Sequence, residues 1–240
     1  MKYSLFIFVA LLGFSSCEEQ THRMLAYDVH GIDVSHYQSD IDWEKIAEQS
    51  VHFAYMKATE GKTHVDSRYH INWEESKAAG IKRGAYHFFR PATPSLEQAN
   101  NFIEAVALQA GDLPPVLDVE VLDGMSKIEL IIALRLWLKH VELHYGVRPV
   151  LYTYQKFYNK YLAGHFDEYP IWIARYNSRR PMLADRTNWH FWQYGQKGRL
   201  EGINGDVDFN IFQGSMQELE ELCIPAFADA QQQQLAGILH

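Results

Sequence analysis

The chain has 240 residues, 47% of them apolar and 22% charged, an ordinary globular mixture long enough to bury one sizeable core. Its formal net charge of -8 argues against a nucleic-acid partner, because phosphate binding needs a basic face. Aromatic residues reach 14% of the chain; most such rings fill cores, and flat rings with polar edges also make walls for sugars.

The N-terminus has the pattern of an export signal. Lys2 supplies the charge, and residues 5–12 form an apolar run too short to span a bilayer. Phe14-Ser15-Ser16-Cys17 follows and resembles a bacterial lipobox, with Phe14 where Leu is usual. Residues 1–16 are therefore expected to be a signal peptide, and Cys17 the lipidated first residue of a mature protein anchored to a membrane of the cell envelope. An ordinary signal peptide cleaved nearby is the alternative. With Cys17 committed to lipid and only Cys223 besides, no structural disulfide is expected. Residues 17–30 are polar and read as a tether, 31–222 as the domain, and 223–240 as a fraying tail. A monomer is expected.

Residues 31–35 read as a strand and 42–49 as a helix. A strand at 53–58 and a helix at 67–79 follow, the helix closed by Gly80. Next come a strand at 84–89, a helix at 94–109 with Pro94 in its first turn, and a strand at 116–120. A long amphipathic helix covers 126–144, with Gly146 just past its end; a strand at 150–154 leads to a short helix near 156–162. Residues 171–176, 190–194 and 207–212 then read as strands without helices between them. Eight strands and five crossover helices predict an α/β fold, a closed barrel with an irregular final third. In such barrels chemistry sits at the C-terminal strand ends.

Side chains alternate along a strand, so Asp118 and Glu120 share one face, roughly 6.5–7 Å apart at the backbone. Leu117 and Val119 take the other face, toward the helices. Carboxylates aimed into a barrel mouth are costly unless used or paired, and a structural network with Lys57 or Arg175 is the plain alternative. On residues 53–61 the polar set Tyr55, Lys57 and Thr59 is expected to point inward, with Glu60 at the strand end. On the next strand the inward parity admits His87. Asp33 and Asp208 fall on the first and last strands, which are neighbours in a closed barrel. Four acids around one cavity suit the stabilisation of positive charge, or the binding of a cation.

No metal and no cofactor is expected. His140 and His144 lie one helical turn apart, but the Glu that a zinc-protease helix carries directly after its first His is displaced. The sequence contains no glycine-rich phosphate loop, no Gly-x-Ser-x-Gly elbow and no Cys with a His partner. Paired carboxylates with aromatic walls leave glycoside hydrolysis.

Eight motifs in order carry a resemblance: Asp33-Val34-Ser35-His36-Tyr37-Gln38, Lys57-Ala58-Thr59-Glu60-Gly61, Tyr86-His87-Phe88, Leu117-Asp118-Val119-Glu120, Tyr152-Thr153, Trp172-Ile173-Ala174-Arg175-Tyr176, Trp192-Gln193-Tyr194 and Val207-Asp208-Phe209-Asn210. Together they resemble glycoside hydrolase family 25, the Chalaropsis-type lysozymes. The resemblance implies a flattened (β/α)5(β)3 barrel. It also implies hydrolysis of the β-1,4 bond between N-acetylmuramic acid and N-acetylglucosamine in peptidoglycan strands. It makes Glu120 the general acid, Asp118 its partner, and Asp33 and Asp208 the other acids. It places Glu60, Tyr86, Tyr152, Arg175 and Trp192 along the groove. Net retention with help from the substrate acetamido group is expected, and direct attack by Asp33 stays open. A chitinase-like N-acetylhexosaminidase and an inactive wall-binding lipoprotein are the rivals.

Overall fold

The computed structural model describes residues 21–186 and 188–226; the expected signal peptide and Cys17 lie outside them, as does most of the expected tail. Strands β1 (Val29–Val34), β2 (Phe53–Glu60), β4 (Lys82–Phe88), β5 (Val116–Asp118), β6 (Val150–Tyr154), β7 (Ile171–Ala174), β8 (Phe191–Gly198) and β9 (Val207–Phe212) close a barrel. The strands run parallel from β1 through β8, and β9 is antiparallel to both its neighbours, β8 and β1. The two-residue strand β3 (His64–Val65) stands outside, paired with the end of β2. This is the expected α/β barrel with one extra strand.

The crossovers are α1 (Trp43–Glu48), α2 (Tyr69–Ala78), α3 (Ser95–Ala105), α4 (Lys127–Tyr145), and α5 (Gln155–Phe157) running into a π turn at Tyr158–Leu162. Helix α4 starts on a reciprocal cap between Ser126 and Glu129 and ends at Gly146, whose φ of 72° only glycine adopts cheaply. A further helix, α6 (Met216–Leu222), follows β9 and sends Leu219 into the barrel's inner core from below.

Two apolar shells hold the barrel. Ile32, Leu117, Val119, Leu151 and Ile173 face the helices. Phe53, Tyr55, Val116, Tyr152, Trp172 and Phe191 fill the interior. Bulky rings on β2 fit because the strands beside it carry glycine: a Cβ on Gly84 would lie 2.2 Å from the Tyr55 ring, and one on Gly31 2.4 Å from Phe53. Gly84→Ala is therefore expected to destabilise the fold by about 1–3 kcal/mol, the usual cost of overpacking. Denaturant unfolding measures it, and an unchanged midpoint would show that Tyr55 yields freely.

Two expectations fail here for physical reasons. The β2–β4 register slips between Lys57 and Thr59. This bulge turns Thr59 outward, where its hydroxyl meets His87 Nδ1 at 2.7 Å, and leaves Lys57 facing the mouth. The expected tether is also docked from Thr21 onward. Thr21 N–H donates to the Lys197 carbonyl at the mouth end of β8, and Arg23 lies over the Phe209 ring. Tyr27 packs edge-on against Trp192, and β1 begins at Val29. Among the described residues no helix covers the outer face of β8 and β9, and this segment packs there instead. At the other end Cys223 and Ile224 are buried, beyond the expected domain boundary at residue 222.

Candidate active site

Residues from all eight barrel strands and the segments just after them converge on a pocket at the mouth. Asp33, Asp118, Glu120 and Asp208 all line it, with Lys57, Tyr86, Tyr152, Tyr154, Trp172 and Gln193 among the other walls. Asp118 ends β5, and Glu120 follows it with the same parity. Asp33 and Asp208 sit directly opposite each other on β1 and β9, as barrel closure requires.

Asp33 is held on every side. Gln193 Nε2 donates to both its oxygens, at 2.9 and 3.1 Å, and Asn210 Nδ2 donates to Oδ1 at 2.6 Å. The two amides are fixed in turn. Trp172 Nε1 donates to Asn210 Oδ1, and the Tyr152 and Tyr176 hydroxyls both donate to Gln193 Oε1. Asp208 completes the set with a carboxyl–carboxyl hydrogen bond to Asp33. Burial, then the charge of Asp33, pushes the Asp208 carboxyl up to about 9, so at neutral pH it carries the proton of that bond. Burial also raises Asp33, opposed by the hydrogen bonds from Asn210, Gln193 and Asp208.

Asp118 has the opposite surroundings. It is 7% exposed, and its buried Oδ1 has no hydrogen-bond partner. Burial, then the charges of Glu120 and Asp33, holds its carboxyl well above the usual range, with Lys57 pulling the other way. Glu120 is raised by burial and by Asp33, against a hydrogen bond from the Tyr154 hydroxyl and the charges of Lys57 and Arg90. A cavity that holds four carboxyls around one lysine retains protons near neutrality. It can donate one to a leaving oxygen and stabilise positive charge that forms nearby.

The remaining expected groove residues divide. Tyr86 and Tyr152 line the pocket. Glu60 stands behind Lys57, accepting from its ammonium at 2.5 Å and from Arg90 Nε at 2.8 Å. His87 points outward, stacked on Trp137 and hydrogen-bonded to Thr59 and Gln98, and burial lowers its pKa to about 4. It touches no part of the pocket, because Tyr86 has the inward parity on β4. Trp192 likewise faces outward, since Gln193 points in; its Nε1 donates to the Arg175 carbonyl and steadies that loop from behind. Arg175 lies past the end of β7 in an adjoining groove. On α4, His140 Nε2 meets Asn100 Oδ1 at 3.0 Å. Gln193, Asn210, Trp172 and Tyr176 stand within the motifs quoted above without a role of their own there, and Tyr154 stands outside them. Asn210 carried a usable signal, two residues after Asp208 and so on the same strand face.

A family model, Glycosyl hydrolases family 25, matches residues 32–203. Protein YegX of Escherichia coli K12 is 44% identical over 200 residues, covering 81% of this chain and 73% of YegX. Lysozyme M1 of Streptomyces globisporus is 36% identical over 209 residues, covering 80% of this chain and 70% of that protein. Among solved structures, a family 25 glycosyl hydrolase from Bacillus anthracis superposes with a TM-score of 0.80 at 34% identity, covering 86% of this chain and 98% of that one.

Proposed function

The chain belongs to glycosyl hydrolases family 25, and from that membership we propose that it is a muramidase, cutting the β-1,4 bond between N-acetylmuramic acid and N-acetylglucosamine in peptidoglycan. Relatives named as lysozymes and the four-carboxyl pocket support this reading. Release of soluble fragments from dye-labelled cell wall, with chitin left intact, is the expected result. Cutting of chitin alone would move the enzyme to the chitinase-like class, and no cutting of either would leave a wall-binding protein.

In this mechanism Glu120 gives its proton to the leaving glycosidic oxygen. The carbonyl oxygen of the muramic unit's own acetamido group attacks the anomeric carbon as that bond breaks, giving a cyclic oxazolinium. Asp118 accepts the acetamido N–H and offsets the positive charge. Water, deprotonated by Glu120, then opens the ring with net retention. One observation carries the choice of Asp118: its Oδ1 is buried without a partner, whereas both oxygens of Asp33 are already taken. Asp33, held by Gln193, Asn210 and the protonated Asp208, forms a fixed wall behind the reacting sugar.

The protein is further proposed to act as a monomer in the cell envelope, held to a membrane through lipidated Cys17. Cys17→Ala is expected to move it into the soluble fraction on membrane fractionation. Continued sedimentation of the variant with membranes would remove the anchor.

A further inference from the structure

The catalytic pocket shares a wall with a second groove. Tyr154 and Tyr176 belong to both, their rings meeting edge to face with centroids 6.1 Å apart. On its pocket side Tyr154 bonds Glu120, so the second groove begins one side chain away from the general acid. Phe157 and Tyr161 form its apolar surface, and Lys156, Lys160 and Arg175 edge it.

Charge reverses across that wall. The pocket lining holds four acids and the single cation Lys57, while the groove lining holds three cations and no acid. In a chain of formal net charge -8 this is a marked segregation. Among the described residues, none of the three cations is paired with a carboxylate. Arg175 donates only to neutral acceptors: Nη1 to Gln155 Oε1 at 2.8 Å and to the Arg180 carbonyl at 3.1 Å, and Nε to Asn177 Oδ1 at 3.0 Å. Those bonds fix the guanidinium and leave Nη2 uncommitted, an arrangement suited to an incoming carboxylate. The Lys160 ammonium lies 4.8 Å above the Tyr161 ring, and Lys156 and Lys160 are both exposed.

We infer that this groove binds the carboxylates carried by the side chain of a muramic unit seated in or beside the pocket. The inference rests on the peptidoglycan reading above. A wall strand presents such a group, a lactyl ether that bears or once bore a peptide, on every second sugar, next to the bond that is cut. A neutral polymer such as chitin offers the groove nothing. Pocket and groove thus divide the substrate by charge, with the developing cation among the acids and the anionic substituent among the cations.

The test compares wild type with the double variant Lys156→Glu/Lys160→Glu, which leaves the pocket lining untouched. Three substrates are used: peptide-bearing strands, strands stripped to the free lactyl carboxylate, and stripped strands with that carboxylate methyl-esterified. On carboxylate-bearing strands the variant is expected to raise KM about three- to tenfold with kcat little changed, the scale of a few exposed ion pairs. On esterified strands the two proteins should share one KM. Loss of the wild-type advantage on stripping assigns the peptide as ligand; loss only on esterification assigns the lactyl group. Equal wild-type KM on all three substrates overturns the inference, as does a variant weakened equally on all three. A wild type that cuts none of them instead refutes the peptidoglycan reading, a separate result. Should the double glutamate variant melt early, Lys156→Gln/Lys160→Gln makes the same comparison without added repulsion.

Discussion

Glu120→Gln is expected to lower kcat on cell-wall strands by at least about two orders of magnitude, the scale of general-acid catalysis. The amide keeps the shape of the carboxyl and can still accept from the Tyr154 hydroxyl, so strand binding should persist. The substitution removes the one proton that the leaving oxygen needs. Burial and the charge of Asp33 raise the Glu120 carboxyl, so a fraction stays protonated where a free glutamate would be ionised. The alkaline limb of the wild-type pH profile should follow the loss of that proton, and the residual activity of the variant should lack the limb. Turnover within a few-fold of wild type would take Glu120 out of the mechanism.

Asp118→Asn is expected to be comparably damaging, by about two to three orders of magnitude in kcat, since it removes an ionisable carboxyl from a water-poor site where positive charge develops. The asparagine oxygen can still receive the acetamido N–H but no longer offsets the positive ring. Two further readouts separate this role from a covalent one. Muramic units lacking the N-acetyl group should be poor substrates for wild type, and a fluorinated sugar should label no carboxylate. A sugar found by mass spectrometry on Asp33 or Asp118 would sink the assisted mechanism, as would inverted product seen by NMR. Retention alone cannot discriminate, because a covalent glycosyl-enzyme retains as well.

What could be read in advance followed from geometry that a strand imposes by itself. Asp118 and Glu120 share a face because side chains alternate, and Asp33 meets Asp208 because a closed barrel makes its first and last strands neighbours. Parity misled where strands are buried on both faces. Tyr86 and His87, like Trp192 and Gln193, fill inner and outer positions equally well by composition, and only the packing of Trp137 on His87 or of Tyr27 on Trp192 decides between them. The slip between Lys57 and Thr59 has no local signature in the sequence. Gln193 is not legible by itself, because an amide gains meaning only beside the carboxylate it bonds, and Asp33 lies far from it in the chain. The polar stretch before β1 reads as solvated until the barrel reveals an outer face without a helix.

That docked stretch sets a ruler. Thr21 is fixed at the mouth end of β8, and Cys17 stands four residues earlier in the chain. Four residues of fully extended backbone reach about 14 Å at most. With Cys17 lipidated as proposed, the barrel rides at the bilayer on a leash about half the width of a small domain, roughly 30 Å. The point of attachment lies beside the catalytic opening rather than behind it. Glycan within that thin layer would be met at a high effective concentration, and glycan farther out would not be met at all. Working depth would then be a count of residues before Thr21, adjustable by insertion there without any change to the pocket.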